Sequence, residues 1–267
     1  MLQAQTLIDA IEALAPLNLA WERDVVGLQL GRADQPIKRV MTTLDVRPEV
    51  VQEAIDKDVD FIFSHHPLMF HPARNLDLSR PQNQMYADLL KHNIVVYSAH
   101  TNLDAAVGGM NDWLAEALRI QNPRPLIPNA DGKSGLGRIG ILERPKTVRT
   151  YAQTLKDLFN VAAVRVIGPD LERSIQTVAV IGGDGGDYYR QAQQAGADVL
   201  VTADLYYHVG HDVIADDFTV IDPDHHMEAI VKLKMVEQIQ TWQRAYSWDL
   251  DAVFPSAMNT DPYQYIL

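Results

Sequence analysis

The chain is predicted to be an α/β protein of two similar, intertwined lobes with mixed, mostly parallel sheets. Short apolar runs alternate with helical patterns in a repeating β-α-β order. Sliding the chain by 138 residues lays one such unit, Arg39–His66, on another, Thr177–Asp204, without a gap. Histidines with nearby carboxylates collect where several of the apolar runs end.

The elements follow from periodicity and punctuation. A helix is expected over about residues 3–15, then a strand over 39–45 and a helix over 48–57 opened by Pro48 in its first turn. Residues 59–64 form the next strand, 81–92 a helix, 94–98 a strand and 109–119 a helix. The stretch Gln121–Gly137 is rich in Pro and Gly and reads as a linker, dividing a first lobe (1–120) from a second (138–267). The second lobe reads as strand 138–142, helix 147–159, strand 162–167, strand 177–181, helix 188–195, strand 198–202, a short helix near 208–215 and strand 218–221. One long helix is expected from His225 to Tyr246, with an irregular tail from Ser247. In the shifted alignment Val40 meets Val178, Ala54 meets Ala192 and Asp60 meets Asp198, with strand, helix and strand in register. The matching pattern, more than the identities, suggests two related halves packed about a pseudo-twofold axis.

Bulk properties narrow the function classes. A chain of 267 residues buries a sizeable core, and 47% hydrophobic with 22% charged residues is ordinary for a soluble globular protein. No stretch reaches the ~18 uninterrupted apolar residues of a membrane helix. The start carries Asp9 and Glu12 in an amphipathic helix pattern and no basic segment, unlike a secretory signal, so the cytoplasm is the default location. With no cysteine, disulfides, thiolate catalysis and Cys-type zinc sites are excluded. A net charge of −12 without a Lys/Arg cluster disfavours nucleic acid. An anionic substrate would need a local positive centre, which bound metal ions provide.

The chemistry lies in three segments. Ser64-His65-His66-Pro67 follows the run Val59–Phe63, His100-Thr101-Asn102-Leu103-Asp104 follows Ile94–Tyr97, and Asp222-Pro223-Asp224-His225-His226-Met227-Glu228 follows Phe218–Ile221. A single histidine beside a strand is ordinarily a hydrogen-bonded structural residue. Here six of nine histidines (65, 66, 100, 225 and 226, with 208 near) fall in or beside strand exits. Ligands of open parallel sheets bind outside the carboxyl ends of strands, which places one metal site in the cleft between the halves. Its donors are imidazole and carboxylate only, a set that suits Zn, Fe or Mn better than Ca. Gly182–Gly186 follows a strand and precedes a helix. It reads either as a phosphate contact at a helix N-terminus or as tight-turn glycines, with Asp184 and Asp187 opposing the former. His100 and His208 are candidates for proton shuttling or ligand orientation, or for ordinary hydrogen bonding. Trp21 and Gly27–Gly31 read as packing and turn residues at the cleft rim.

These motifs resemble the Nif-three-like family, also known as GTP cyclohydrolase 1 type 2 homologues. The resemblance runs nearly end to end: Trp21 with Val26-Gly27-Leu28-Gln29-Leu30-Gly31, the His-His-Pro and His-Thr-x-x-Asp segments, Gly182-Gly183-Asp184-Gly185-Gly186, Gly196-Ala197-Asp198 and Asp222-x-x-His225-x-x-Glu228. It implies two divalent metal ions in a cleft between two similar α/β lobes, held by His65, His66, Asp104, His225 and Glu228. It also implies a ring-like homohexamer, a trimer of dimers. Some members insert a domain between the halves, for which Gln121–Gly137 is too short. Two departures stand out: Asp224 occupies a position where many relatives have Gly, and Glu228 lies three residues after His225 where some relatives have four. Five N and O donors leave open positions on two metals, and Glu228 or Asp104 is a candidate bridge. The expected function is metal-dependent hydrolysis of a small molecule such as a nucleotide; a non-enzymatic metal-storage ring or protein scaffold is the alternative.

Overall fold

A computed structural model describes residues 1–266 and divides the chain into two compact α/β units. One comprises residues 1–103 and 229–261, the other 104–228 and, among the described residues, 262–266. This division differs from the expected lobes, because the chain changes unit inside two short helical segments, Thr101–Ala105 and His225–Ile230. The expected linker is mostly strand: Gln121–Pro128 pairs antiparallel with Gly135–Thr147 and forms one edge of its sheet. An edge strand tolerates Pro123 and Pro125, since its outer side donates no ladder bond. Composition suggested punctuation, but position in the sheet removed the penalty.

The first unit is built on a five-stranded sheet. Its spatial order is Ala252–Pro255, Arg39–Thr43, Phe61–Ser64, Val95–Ser98 and Gly27–Leu30. The first four strands run parallel and the last antiparallel. Phe61–Ser64 is buried at every residue, as expected of an inner strand covered on both faces. Helices Pro48–Asp56 and Pro81–Lys91 bury Val50, Val51, Ala54, Met85 and Leu89 in a core shared with Met41, Ile62 and Val96. Helix Ala4–Leu14 buries Ala4, Leu7, Ile8 and Ile11, one helical stripe at the i, i+3, i+4, i+7 spacing. Two strands of this sheet went unforeseen. Gly27–Leu30 is short, and a register shift within it blurs its alternation. Gly31 ends it at φ +93°, where a Cβ would stand 3.0 Å from the Val95 Cα. Ala252–Pro255 has no local partner and pairs with Arg39–Thr43 from the far end of the chain.

The second unit carries a six-stranded mixed sheet. Its order is Gln121–Pro128, Gly135–Thr147, Ser174–Asp184, Val199–Ala203, Val220–Asp222 and Arg165–Ile167. The inner pairs, Ser174–Asp184 with Val199–Ala203 and Val199–Ala203 with Val220–Asp222, are parallel. Helix Val148–Phe159 is capped by Thr147 Oγ1, which accepts the Thr150 N–H at 3.2 Å, and ends on Asn160 at φ 51°. Its buried stripe is Val148, Tyr151, Ala152 and Leu155.

The internal repeat extends to individual hydrogen bonds. Asp60 Oδ2 accepts the N–H groups of Lys38 and Arg39 at 2.7 and 2.8 Å. Asp198 Oδ2 accepts those of Gln176 and Thr177, both at 2.8 Å, at the positions 138 residues on. The helix-to-strand turns match as well: Val59 N–H bonds to Ala54 O, and Ala197 N–H to Ala192 O.

Candidate metal centre

In the first unit the parallel strands end together, which brings separate sequence segments side by side. Ser64 pairs with Ser98, their hydroxyls are 2.7 Å apart, and Ala99 N–H donates to Ser64 O. His65, His66 and His100 therefore leave neighbouring carboxyl ends, with ring centroids 5.2 to 5.5 Å apart. Each offers a ligand atom within 4.8 Å of the other two. The Nδ1 of each meets an oxygen: Ala99 O at 2.8 Å for His65, Asp45 Oδ1 at 2.6 Å for His66 and Asp24 Oδ1 at 3.0 Å for His100. With Nδ1–H donating, Nε2 keeps its lone pair, the tautomer a metal ligand needs. Asp45 is held on its other oxygen by Thr260 Oγ1 at 2.5 Å. Burial alone would raise the Asp24 carboxyl, but hydrogen bonds from His100 and Thr101 bring it down to about 2.

In the second unit, the segment His225–Ile230 is a 3₁₀ turn, not the first turn of the expected long helix, which begins at Val231. With three residues per turn, side chains three apart eclipse. His225 Nε2 accordingly stands 3.2 Å from Glu228 Oε2, so the three-residue spacing suits this local helix type. Glu228 is buried, and an oxygen of Asp104 lies within 4.8 Å of one of its own. Asp104 is positioned through its backbone: Asn111 Nδ2 donates to Asp104 O at 3.0 Å, and Asn111 Oδ1 accepts the Gly182 N–H at 3.0 Å. His225 Nδ1 meets Asp204 Oδ2 at 2.5 Å. Burial pushes the His225 imidazole down, but Asp204 and Glu228 outweigh it and lift it to about 11.

The first two glycines of the run, Gly182 and Gly183, are explained by this carboxylate. A Cβ on Gly182 would meet Glu228 Oε1 at 2.8 Å; one on Gly183, at φ +60°, would meet it at 3.0 Å and His225 Cε1 at 3.2 Å. Asp184 beside them has its carboxyl raised by burial and by the charges of Asp204 and Asp187, surroundings that oppose phosphate. Asp224 adopts φ +79°, a conformation easy for Gly and tolerated by Asp, which accounts for the departure at that position. Its carboxylate accepts the Tyr265 hydroxyl. Asp222 is a structural acid, buried and paired with Arg165 at 2.6 Å. His208 is exposed on helix Tyr207–Ala215 and belongs to none of the donor clusters among the described residues.

Sequence reading missed the three carboxylates that hold the imidazoles: Asp24, Asp45 and Asp204. Only Asp204 had a signal, since the repeat aligns it with His66. Beside His66 opens a cavity of about 320 Å³ lined by Asp45, Arg47, Phe70, His71, Gln82 and Tyr86, among others. The donors are imidazole and carboxylate, the imidazoles are held by oxygen acceptors, and Gly182 and Gly183 leave room around Glu228. These residues fit divalent transition-metal ions.

Fold and donor clusters together describe a two-unit α/β protein with clusters of potential metal ligands at strand ends. The chain belongs to the family described as Duf34/NIF3 (NGG1p interacting factor 3), which it matches over residues 2–262. It is 40% identical to the GTP cyclohydrolase 1 type 2 homolog of Streptococcus pneumoniae over 98% of this chain and 99% of that protein. The homolog of the same name from Bacillus subtilis is 30% identical, covering 98% of each chain. That alignment runs over 368 positions against the 267 residues here, so the relative carries a segment this chain lacks. Among solved structures, a Bacillus cereus protein related to NIF3 superposes with a TM-score of 0.95 at 28% identity, covering 99% of each chain.

Proposed function

We propose that the protein binds two divalent ions, Zn, Fe or Mn, through His65, His66, Asp104, His225 and Glu228, and hydrolyses a small molecule. The observation that carries this reading is the anchoring of the candidate imidazoles: the Nδ1 of each is held by a carboxylate or a carbonyl. Such partners fix the tautomer and raise ligand basicity. Two bound cations supply acidity to a shared water and positive charge for a developing oxyanion. Glu228 and Asp104 would hold the ions through carboxylate oxygen, one or the other being the candidate bridge, Asp45 and Asp204 hold imidazoles that would bind them, and the cavity beside His66 would receive the substrate. Its volume falls in the range of small-molecule sites, and Arg47 on its wall offers a cation to an anionic group.

The relatives' name makes GTP the first substrate to test. Protein loaded with Zn, Fe or Mn is expected to consume GTP, and His65→Ala and Glu228→Ala to abolish that turnover. GTP that persists beside protein holding stoichiometric metal rules out the cyclohydrolase activity, and a panel of phosphodiesters, nucleotides and cyclic amides then decides whether any hydrolysis occurs. Metal exchange without turnover across that panel would favour the storage or scaffold role. The assembly is proposed to be a cytoplasmic homohexamer, for which sedimentation should give six times the 29.9 kDa chain mass.

A further inference from the structure

We propose that His100 is a metal ligand of this centre and that Asp24 orients it, so that the first unit contributes three imidazoles instead of two. The inference rests on the metal-binding reading above and adds a donor to it. The three rings form a nearly even triangle, with centroid separations of 5.2, 5.3 and 5.5 Å. His100 satisfies the same two conditions as His65 and His66: a ligand atom within 4.8 Å of both, and an Nδ1 held by an oxygen.

The holding group is itself built in. Asp24 is only 6% exposed, and its carboxylate gathers the His100 Nδ1–H at 3.0 and 3.1 Å, the Thr101 N–H at 3.1 Å and the Thr101 hydroxyl at 2.5 Å. Thr101 Oγ1 accepts the Trp21 N–H at 3.0 Å, so the loop bearing Asp24 is tied at two points to the turn bearing His100. A histidine serving only as a loop brace needs one such bond. This one is braced at Nδ1 and also has a ring nitrogen within 4.8 Å of a ligand atom of both His65 and His66.

The test uses the full-length protein with Co(II) as probe. The readouts are metal stoichiometry, the ligand-field spectrum and the imidazole count from X-ray absorption. His100→Ala is expected to lower affinity for one ion at least tenfold, to alter the Co(II) spectrum and to remove one imidazole from the count. Asp24→Asn keeps the shape but takes away the charge; it is expected to weaken the same ion by about 10–100-fold, the usual cost of losing a carboxylate behind a ligand histidine. It also decides the matter should His100→Ala fail to fold. If both variants keep wild-type affinity and spectrum while the wild type holds metal, His100 is not a ligand, although the five-donor centre stands. If the wild type holds no metal, the metal-binding reading fails and this inference falls with it.

Discussion

Arg138 offers the sharpest test of how the second unit holds its shape. Its side chain is 2% exposed, yet all five guanidinium N–H groups have acceptors. Nε and one Nη2 hydrogen bond to the two oxygens of Asp112. The second Nη2 hydrogen reaches Ala106 O at 2.9 Å, and Nη1 donates to Gly135 O and Gly137 O at 2.9 and 2.8 Å. Asp112 also accepts the Gly108 N–H at 2.6 Å, so the pair closes the turn between Asp104 and helix Met110–Ala117. Arg138→Met keeps the apolar stem but strands one carboxylate and three carbonyls. Removing one partner of a buried pair costs about 3–5 kcal/mol. Asp112 is 25% exposed and keeps its bond to Gly108, which points to the lower end, about 3 kcal/mol. With a urea m-value of about 3 kcal/mol/M, the midpoint should fall by about 1 M. The assay is urea unfolding followed by far-ultraviolet circular dichroism. Arg138→Lys should be destabilised too, because an ammonium lacks the planar fork that spans Asp112 and the carbonyls. A midpoint for Arg138→Met within about 0.2 M of wild type, at an m-value of about 3 kcal/mol/M, would refute the reasoning.

Other outcomes follow from the same structure. Asp60→Ala and Asp198→Ala each remove a carboxylate accepting two backbone N–H groups; each should cost about 1–3 kcal/mol by urea unfolding, with Asp60, the less exposed, at the higher end. Glu53 is raised by burial but held below its usual range, on balance, by Lys57, Ser256 and the Ala257 N–H. Its contribution to stability is therefore present above the unfolded pKa of about 4.3 and fades as pH falls through the lower folded value. Glu53→Gln should lose stability at neutral pH and show a flatter acid limb in a melting-temperature series from pH 7 to 3. Gly183→Ala should leave the far-ultraviolet spectrum intact yet weaken metal uptake in a Co(II) titration, since its Cβ would crowd Glu228 and His225. Unchanged uptake would show that the glycine does not make room for these donors.

The sequence alone determined the α/β alternation, the repeat and the strand ends that carry histidine. These are local properties, set by side-chain period, by proline and glycine, and by which runs are apolar enough to be buried on both faces. Asp60 and Asp198 show how far that legibility reached, since a shift in the sequence located two matching backbone acceptors. Tertiary structure decided the rest. Gln121–Pro128 is a strand because an edge position excuses its prolines, and Ala252–Pro255 is one because a distant strand has a free side. Asp24 and Asp45 carry no pattern of their own in the sequence, and Asp204 is marked only by its alignment with His66 in the repeat. Each meets a histidine 21 to 76 residues away only once the chain has folded, because hydrogen-bond partnership depends on distance in space, which the order of residues does not encode.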